Sequence, residues 1–314
     1  MIEPPQHADP LEELQFALAE GDARPAPSGL AQAVFQAALA ARPAGRPVDE
    51  PAPISPVEAF GRALASLDRL LVSLDPEQWT IPALRGLDVQ GLVGHLTGVE
   101  RHFLAAMHEP EGAQADADHV AATDTVAAAQ GGRVPSETLG EWRAATTATL
   151  GALAEVATWP ARRDDVMALH GLRMPLGPLL VVRTFEVWTH EEDIRRATGR
   201  PLQAPDAASL RLMTDLAVAL LPAGLRRSGR RADGRSARIV LTGPGGGTWQ
   251  TDLGALPGQT PAAGRTDVRI VLDAIDFCRL VANRVDPATL TTVVSGDDAL
   301  ARDIFAGAAS LALD

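Results

Sequence analysis

The sequence predicts an α+β protein in which a bundle of four helices precedes a smaller domain of mixed helix and strand. Three observations lead to this class. Between residues 55 and 200, apolar side chains recur at steps of three and four, the period of one helical face. After the arginine-dense stretch 226-RRSGRRADGRSAR-238 the pattern changes to short β-branched runs separated by glycine-rich turns. Residues 108–134 are polar and rich in Ala, Asp and Gly, long enough to form the crossover connection of a bundle.

Taken in order, residues 1–54 hold two short apolar patterns, LEELQFALAE and GLAQAVFQAALAAR, between proline-rich connectors. They read as a helical arm, too short to be stable alone and so expected to dock on the bundle or on a second copy of the chain. The bundle, 55–200, begins at 55-SPVE-58, where Ser, Pro and Glu stand at the N-cap, first and third helical positions. Phe60, Leu64, Leu67, Leu71 and Leu74 then mark one face. A second helix starts near Asp88 and places Leu92, His95, Val99, His102 and Ala106 together. A third covers 136–156. The fourth carries Leu179, Val182, Glu186, His190, Ile194 and Ala197 on an inward stripe and ends near Thr198, before Gly199 and Pro201. No sheet is expected within 57–107. Residues 201–314 form the second domain: a helix in DAASLRLMTDLAVALL, strands in ARIVLTG, GTWQTDL and DVRIVLDA, then helix, strand and helix around 293-VVSGDDALARDIF-305.

Composition narrows the function. With 314 residues, 46% of them hydrophobic, the chain can fill a core. A formal net charge of -12 opposes nucleic-acid binding, which needs a basic surface. The single cysteine, Cys278, permits no internal disulfide and fits a reducing compartment. No apolar run approaches the roughly 20 residues of a membrane span, and no leader pattern opens the sequence, so a cytoplasmic protein without a membrane partner is expected. The run 243-GPGGG-247 lacks the Lys-Ser/Thr of a phosphate loop and reads as a turn between strands. The arginines of 226–238 read as a solvated loop, with an anionic ligand as the alternative.

The unusual feature is an acid and two histidines on apolar stripes. A buried carboxylate needs a cation or a donor. Glu186 and His190, four residues apart, stand about 6 Å apart along a helix and on nearly one face, so they could grip one ion, and His95 from a second helix could complete a site with an open position. A buried ion pair or a satisfied core histidine is the alternative reading. His102 lies about 10 Å from His95 along the same helix, too far to share an ion, and is placed as a pocket-lining residue. Asp193 could orient the ring of His190 or stand as a surface carboxylate.

Trp79 with 86-GLDVQGLVGHLTGVE-100 and 183-RTFEVWTHEEDIRRATGRP-201 resembles the mycothiol-dependent maleylpyruvate isomerase family of the DinB-like metal-binding bundles. The resemblance covers about residues 57–200. It implies that His95, Glu186 and His190 are ligands of a divalent metal. Mixed nitrogen and oxygen ligands suit zinc first, and nickel or iron could substitute because first-row affinities overlap. The resemblance also implies a mycothiol-like thiol as cosubstrate. The stretches 277-FCRLVANR-284 and 295-SGDDALARDIF-305 resemble the small α+β, sterol-carrier-like domain attached in that family, where Arg284 would face a carboxylate substrate. The reaction implied is isomerisation of a small electrophile by thiol addition, or thiol transfer to it. A metal-dependent hydrolase and a non-enzymatic metal-stabilised binding module are the alternatives. The arm lies outside the resemblance and is a candidate surface for homo-oligomers.

Overall fold

The protein is described from a computed structural model, which covers residues 29, 33, 34, 37, 51–157, 165–254 and 266–312. The expectations for the arm, including its docking, lie almost wholly outside these residues. Pro47–Asp314 forms one compact unit.

Helix α1, Pro56–Val72, starts as its N-terminal chemistry demands. The Ser55 hydroxyl accepts from the Glu58 N–H at 3.1 Å, satisfying one of the donors a helix start leaves open. Phe60, Leu64, Leu67 and Leu71 are buried along it. A short 3-10 turn, Pro76–Thr80, buries Trp79. Next comes a small antiparallel hairpin, β1 (Pro82–Leu84) and β2 (Leu87–Asp88). The expected absence of sheet from 57–107 is therefore corrected. Arg85 and Gly86, at φ 49° and 81°, make a two-residue turn with both positions left-handed. Strands of three and two residues are too short to leave a periodic trace in the sequence.

Helix α2, Val89–His108, is capped by Asp88, whose carboxylate accepts from the Gly91 N–H at 2.7 Å. The connection after it contains a short helix, α3 (Asp124–Ala128), and leads to α4, Pro135–Ala157. A second hairpin, β3 (Val166–Leu169) and β4 (Leu172–Pro175), turns at His170 and Gly171, at φ 50° and 78°. Helix α5, Leu176–Ala197, ends at Thr198 with Gly199 left-handed at φ 67°, the expected stop. Within the helical layer α1 packs on α5 and α2 on α4.

The remaining elements build the sheet layer. Helix α6, Ala207–Arg227, runs to the start of the arginine-rich segment. Its length and composition would allow it to cross a membrane, which corrects the sequence reading, but 56% of that apolar stretch is buried inside the protein. Leu210, Met213, Ala217, Leu221 and Leu225 join the core there. The strands β5 (Ser236–Thr242), β6 (Gly247–Asp252), β7 (Val268–Asp273) and β8 (Val293–Gly296) lie in the order β6-β5-β7-β8. β5 and β7 are parallel, with Ile239 opposite Ile270, and the outer pairs are antiparallel. Helices α7 (Ala274–Val281) and α8 (Asp298–Ala309) complete this layer. The arrangement is the expected helical part followed by a small sheet domain.

Helix α5 belongs to both cores. Val181 and Trp188 pack into the sheet core, whereas Leu179, Leu180, Val187 and Ile194 pack into the helical one. A single inward stripe is therefore the wrong description: residues 187–194 are buried without a break. Its acidic run is neutralised residue by residue, Glu191 by Arg195 at 2.7 Å, Glu192 by Arg279 at 2.7 Å and Asp193 by Arg284 at 3.0 Å. The last two arginines come from the sheet layer. Three arginines of 226–238 are paired with acids, Arg230 with Asp303, Arg231 with Asp233 and Arg235 with Asp297.

Candidate metal centre

His95 from α2 and Glu186 and His190 from α5 converge, with one ligand atom of each within 4.8 Å of the others. The far side of each group is fixed. Thr123 donates its hydroxyl hydrogen to the Val120 carbonyl at 3.0 Å, so its oxygen receives the Nδ1–H of His95 at 2.6 Å. That tautomer leaves a lone pair on Nε2, the atom facing Glu186 at 3.5 Å. His190 donates its Nδ1–H to Asp193 at 3.1 Å, which frees its own Nε2 in the same way. Asp193 can accept because it is ionised: burial pushes its carboxyl up, but hydrogen bonds from His190 and Arg284 outweigh burial and hold it below the usual range.

Glu186 is held from behind by Arg183 through Oε2, and the same guanidinium grips Glu100. Burial alone would raise the Glu186 carboxyl, yet the charge of Arg183 and the neighbouring imidazole of His119 hold it well below the ordinary value. Its other oxygen, Oε1, is buried and accepts no hydrogen bond from the described residues. His119 Nε2 stands 3.2 Å away without the alignment a hydrogen bond needs. An orphaned carboxylate oxygen and two imidazole lone pairs thus face one centre. A divalent cation would satisfy all three, and a carboxylate with two imidazoles is a donor set zinc accepts.

The sequence reading missed several residues here. Residues 108–134 were expected only to connect, yet they carry Thr123 and His119, which are 0% and 6% exposed. They come close because α2 has glycines on that side: a Cβ at Gly98 would meet Thr123 at 3.0 Å, and one at Gly94 would meet the Ala127 backbone at 2.9 Å. His119 Nδ1 is 2.8 Å from His170 Nδ1, and His170 Nε2 is 2.9 Å from His102 Nδ1. His102 therefore supports a row of imidazoles behind the centre. Burial, then the neighbouring His119, pushes His170 from 6.5 to about 3, so it is neutral. Arg183 and Glu100 were also missed, since neither carries a spacing signal. The clue that was available is the histidines themselves: of the 7 in the chain, His95, His102, His119, His170 and His190 gather here.

Asp193 orients His190, the first of its two readings. Arg284 faces the cavity, but it does not stand open for a substrate carboxylate as expected. Its Nε and Nη2 hold Asp193 at 3.0 Å each, and Nη1 donates to the Ala282 carbonyl at 3.0 Å. Cys278 is buried and its thiol is pushed up by burial, so it offers no nucleophile. A cavity of about 100 Å³ lies between α5 and the sheet layer, with His119, Glu186 and His190 in its wall. A second, of about 80 Å³, reaches His95 and His190 from the β1–β2 side past Arg85 and Asp124.

Residues 60–195, which contain all three converging side chains, match the sequence model of the family described as mycothiol maleylpyruvate isomerase N-terminal domain. Two crystal structures resemble the fold over 73–74% of the chain. One is the mycothiol-dependent maleylpyruvate isomerase, at 17% identity and a TM-score of 0.52, covering 74% of this chain and 89% of that one. The other is a histidine-to-alanine mutant of that enzyme, at 15% identity and a TM-score of 0.51, covering 73% and 88%. No curated protein matches the chain.

Two predictions arise here. Thr123→Val keeps the shape of the buried side chain but removes the acceptor of His95, so zinc affinity should fall about 10–100-fold in a chelator competition, with little change in the melting temperature. An unchanged affinity would show that the His95 tautomer needs no partner. The second concerns acid. A histidine whose folded pKa lies below its unfolded one binds fewer protons when folded, so His170 withdraws stability as pH falls from 6.5 toward about 3. His170→Asn tolerates the left-handed turn and cannot titrate, and its melting temperature should fall less steeply over that window than the parent's. Parallel curves would refute this.

Proposed function

We propose that the chain is a metal-dependent enzyme that joins a low-molecular-weight thiol, mycothiol in the family's name, to a small electrophile, ending in isomerisation or in a stable conjugate. The observation that carries this reading is the orphaned Glu186 Oε1 facing two imidazole nitrogens whose far sides are fixed by Thr123 and Asp193. His95, Glu186 and His190 would hold the ion, with zinc the first choice. A bound divalent ion supplies positive charge that favours the thiolate over the thiol at neutral pH. The residues around it do the rest. Arg183 keeps Glu186 ionised, Asp193 keeps His190 in the ligating tautomer, and His119 presents an imidazole to the cavity where substrates would sit. Because the cavity reaches Glu186 and His190, a reactant can approach the centre, which favours an enzyme over a sealed structural ion.

In this reading residues 55–200 form the metal-binding part, and 201–314 supply the opposite wall of the cavity and Arg284. The thiol and the electrophile come from solution, and Cys278 takes no part. A cytoplasmic setting agrees with one buried, reduced cysteine. The arm, 1–54, is assigned to self-association on its apolar patterns alone. The test is metal analysis of the purified protein together with conjugate formation from a cysteinyl thiol and an electrophile. One equivalent of metal and a rate that vanishes without either metal or thiol are expected. A metal-free protein, or a rate independent of thiol, would overturn the reading.

A further inference from the structure

The cavity beside Glu186 and His190 carries more information than its position, because beyond His119, Glu186, His190 and Arg284 its wall is built almost wholly of apolar side chains. Val182 and Phe185 of α5, Leu216 and Leu220 of α6, Val281 of α7 and Leu311 line it. Among the described residues its one arginine is Arg284, and the whole sequence has no lysine. That guanidinium is bound on both sides, by Asp193 and by the Ala282 carbonyl, and its side chain is 10% exposed. A dicarboxylate entering here could set one carboxylate against the metal, but its second would leave water for aliphatic side chains. An unpaired charge in such surroundings is strongly disfavoured. An apolar body, in contrast, gains from the same wall in proportion to the area it covers.

We infer that the electrophile of this protein is neutral and largely apolar, an α,β-unsaturated carbonyl compound with an aryl or alkyl body, and not a dicarboxylate of the maleylpyruvate type. The inference rests on the thiol-enzyme reading and specifies its substrate class. The step balances without any oxidant: the thiol sulfur bonds to the β-carbon, the π pair moves to the α-carbon and carbonyl, and the thiol proton ends on the α-carbon. No group leaves. Leu216 and Leu220 are half-buried and form the side of the wall facing α5, so they set this preference.

The experiment uses the zinc-loaded full chain with N-acetylcysteine as thiol and compares benzylideneacetone with maleate. Its binding arm titrates the unreactive partners, 4-phenyl-2-butanone and succinate, by calorimetry. The enone is expected to exceed maleate at least 10-fold in kcat/KM, and the saturated ketone to bind at least 10-fold tighter than succinate. Leu216→Arg, or Leu220→Arg should the first not fold, is expected to narrow both ratios at unchanged zinc content. If the ketone binds preferentially while neither electrophile reacts, the apolar site stands and the thiol reading fails. Equal or better binding of succinate, or no binding of either compound, overturns the inference whatever the activity.

Discussion

Arg183→Met is expected to cost about 3–5 kcal/mol of folding stability, the loss that follows when one partner of a buried ion pair is removed. Arg183 and Glu100 are each 1% exposed, and the guanidinium also holds Glu186. Thr149 donates to the remaining oxygen of Glu100 at 3.0 Å, which cannot replace a charge. Without the arginine two carboxylates would share a dry interior, and one would have to take up a proton, so the destabilisation should be larger above pH 6 than below it. Urea unfolding of the metal-free protein measures this. A double variant, Arg183→Met with Glu100→Gln, should recover part of the loss because it removes one stranded charge. A change below about 1 kcal/mol in the single variant would mean that water or a rearranged partner compensates Glu186.

His95→Ala should abolish thiol-dependent turnover, by at least about 100-fold, and bring metal content well below one equivalent, while the protein stays folded with a stability change of about 2 kcal/mol or less. The reason lies in how α2 is held. Leu92, Val93, Leu96, Val99 and Phe103 are fully buried around His95, so the helix does not depend on the imidazole for its packing. Metal content by mass spectrometry, turnover and thermal melting separate the possibilities. Loss of metal with retained melting behaviour identifies a working ion. A collapse of the melting temperature in step with metal loss would identify a structural one, and full metal occupancy would remove His95 from the centre altogether.

The helices were legible because each carries its signal locally. Ser55 and Asp88 mark helix starts, Gly199 marks a stop, and the three-and-four spacing of the leucines needs no knowledge of what they pack against. His95, Glu186 and His190 were legible for a related reason: polar groups on apolar stripes stand out against the pattern. The hairpins at 82–88 and 166–175 were not legible, since a two-residue turn between strands of two to four residues leaves too few alternations to read. His119 and Thr123 were hidden in a segment whose composition is that of a solvated loop.

What the sequence determined by itself is therefore the long helices and the strands of the second domain, the change from helical to sheet layer, and the identity of three side chains able to bind one ion. These follow from spacing and from capping chemistry, which act over a few residues. Tertiary structure alone decided how those three are held. It brought Thr123 behind His95 through the glycines of α2, placed Arg183 between Glu100 and Glu186, and committed Arg284 to Asp193 across the two layers. It also made α5 a helix of both cores, when its sequence reads as having one inner face. The physical reason is desolvation. A charge or an imidazole acquires its role from the partner it meets once water is excluded, and the partners here lie 28, 83 and 91 residues away along the chain.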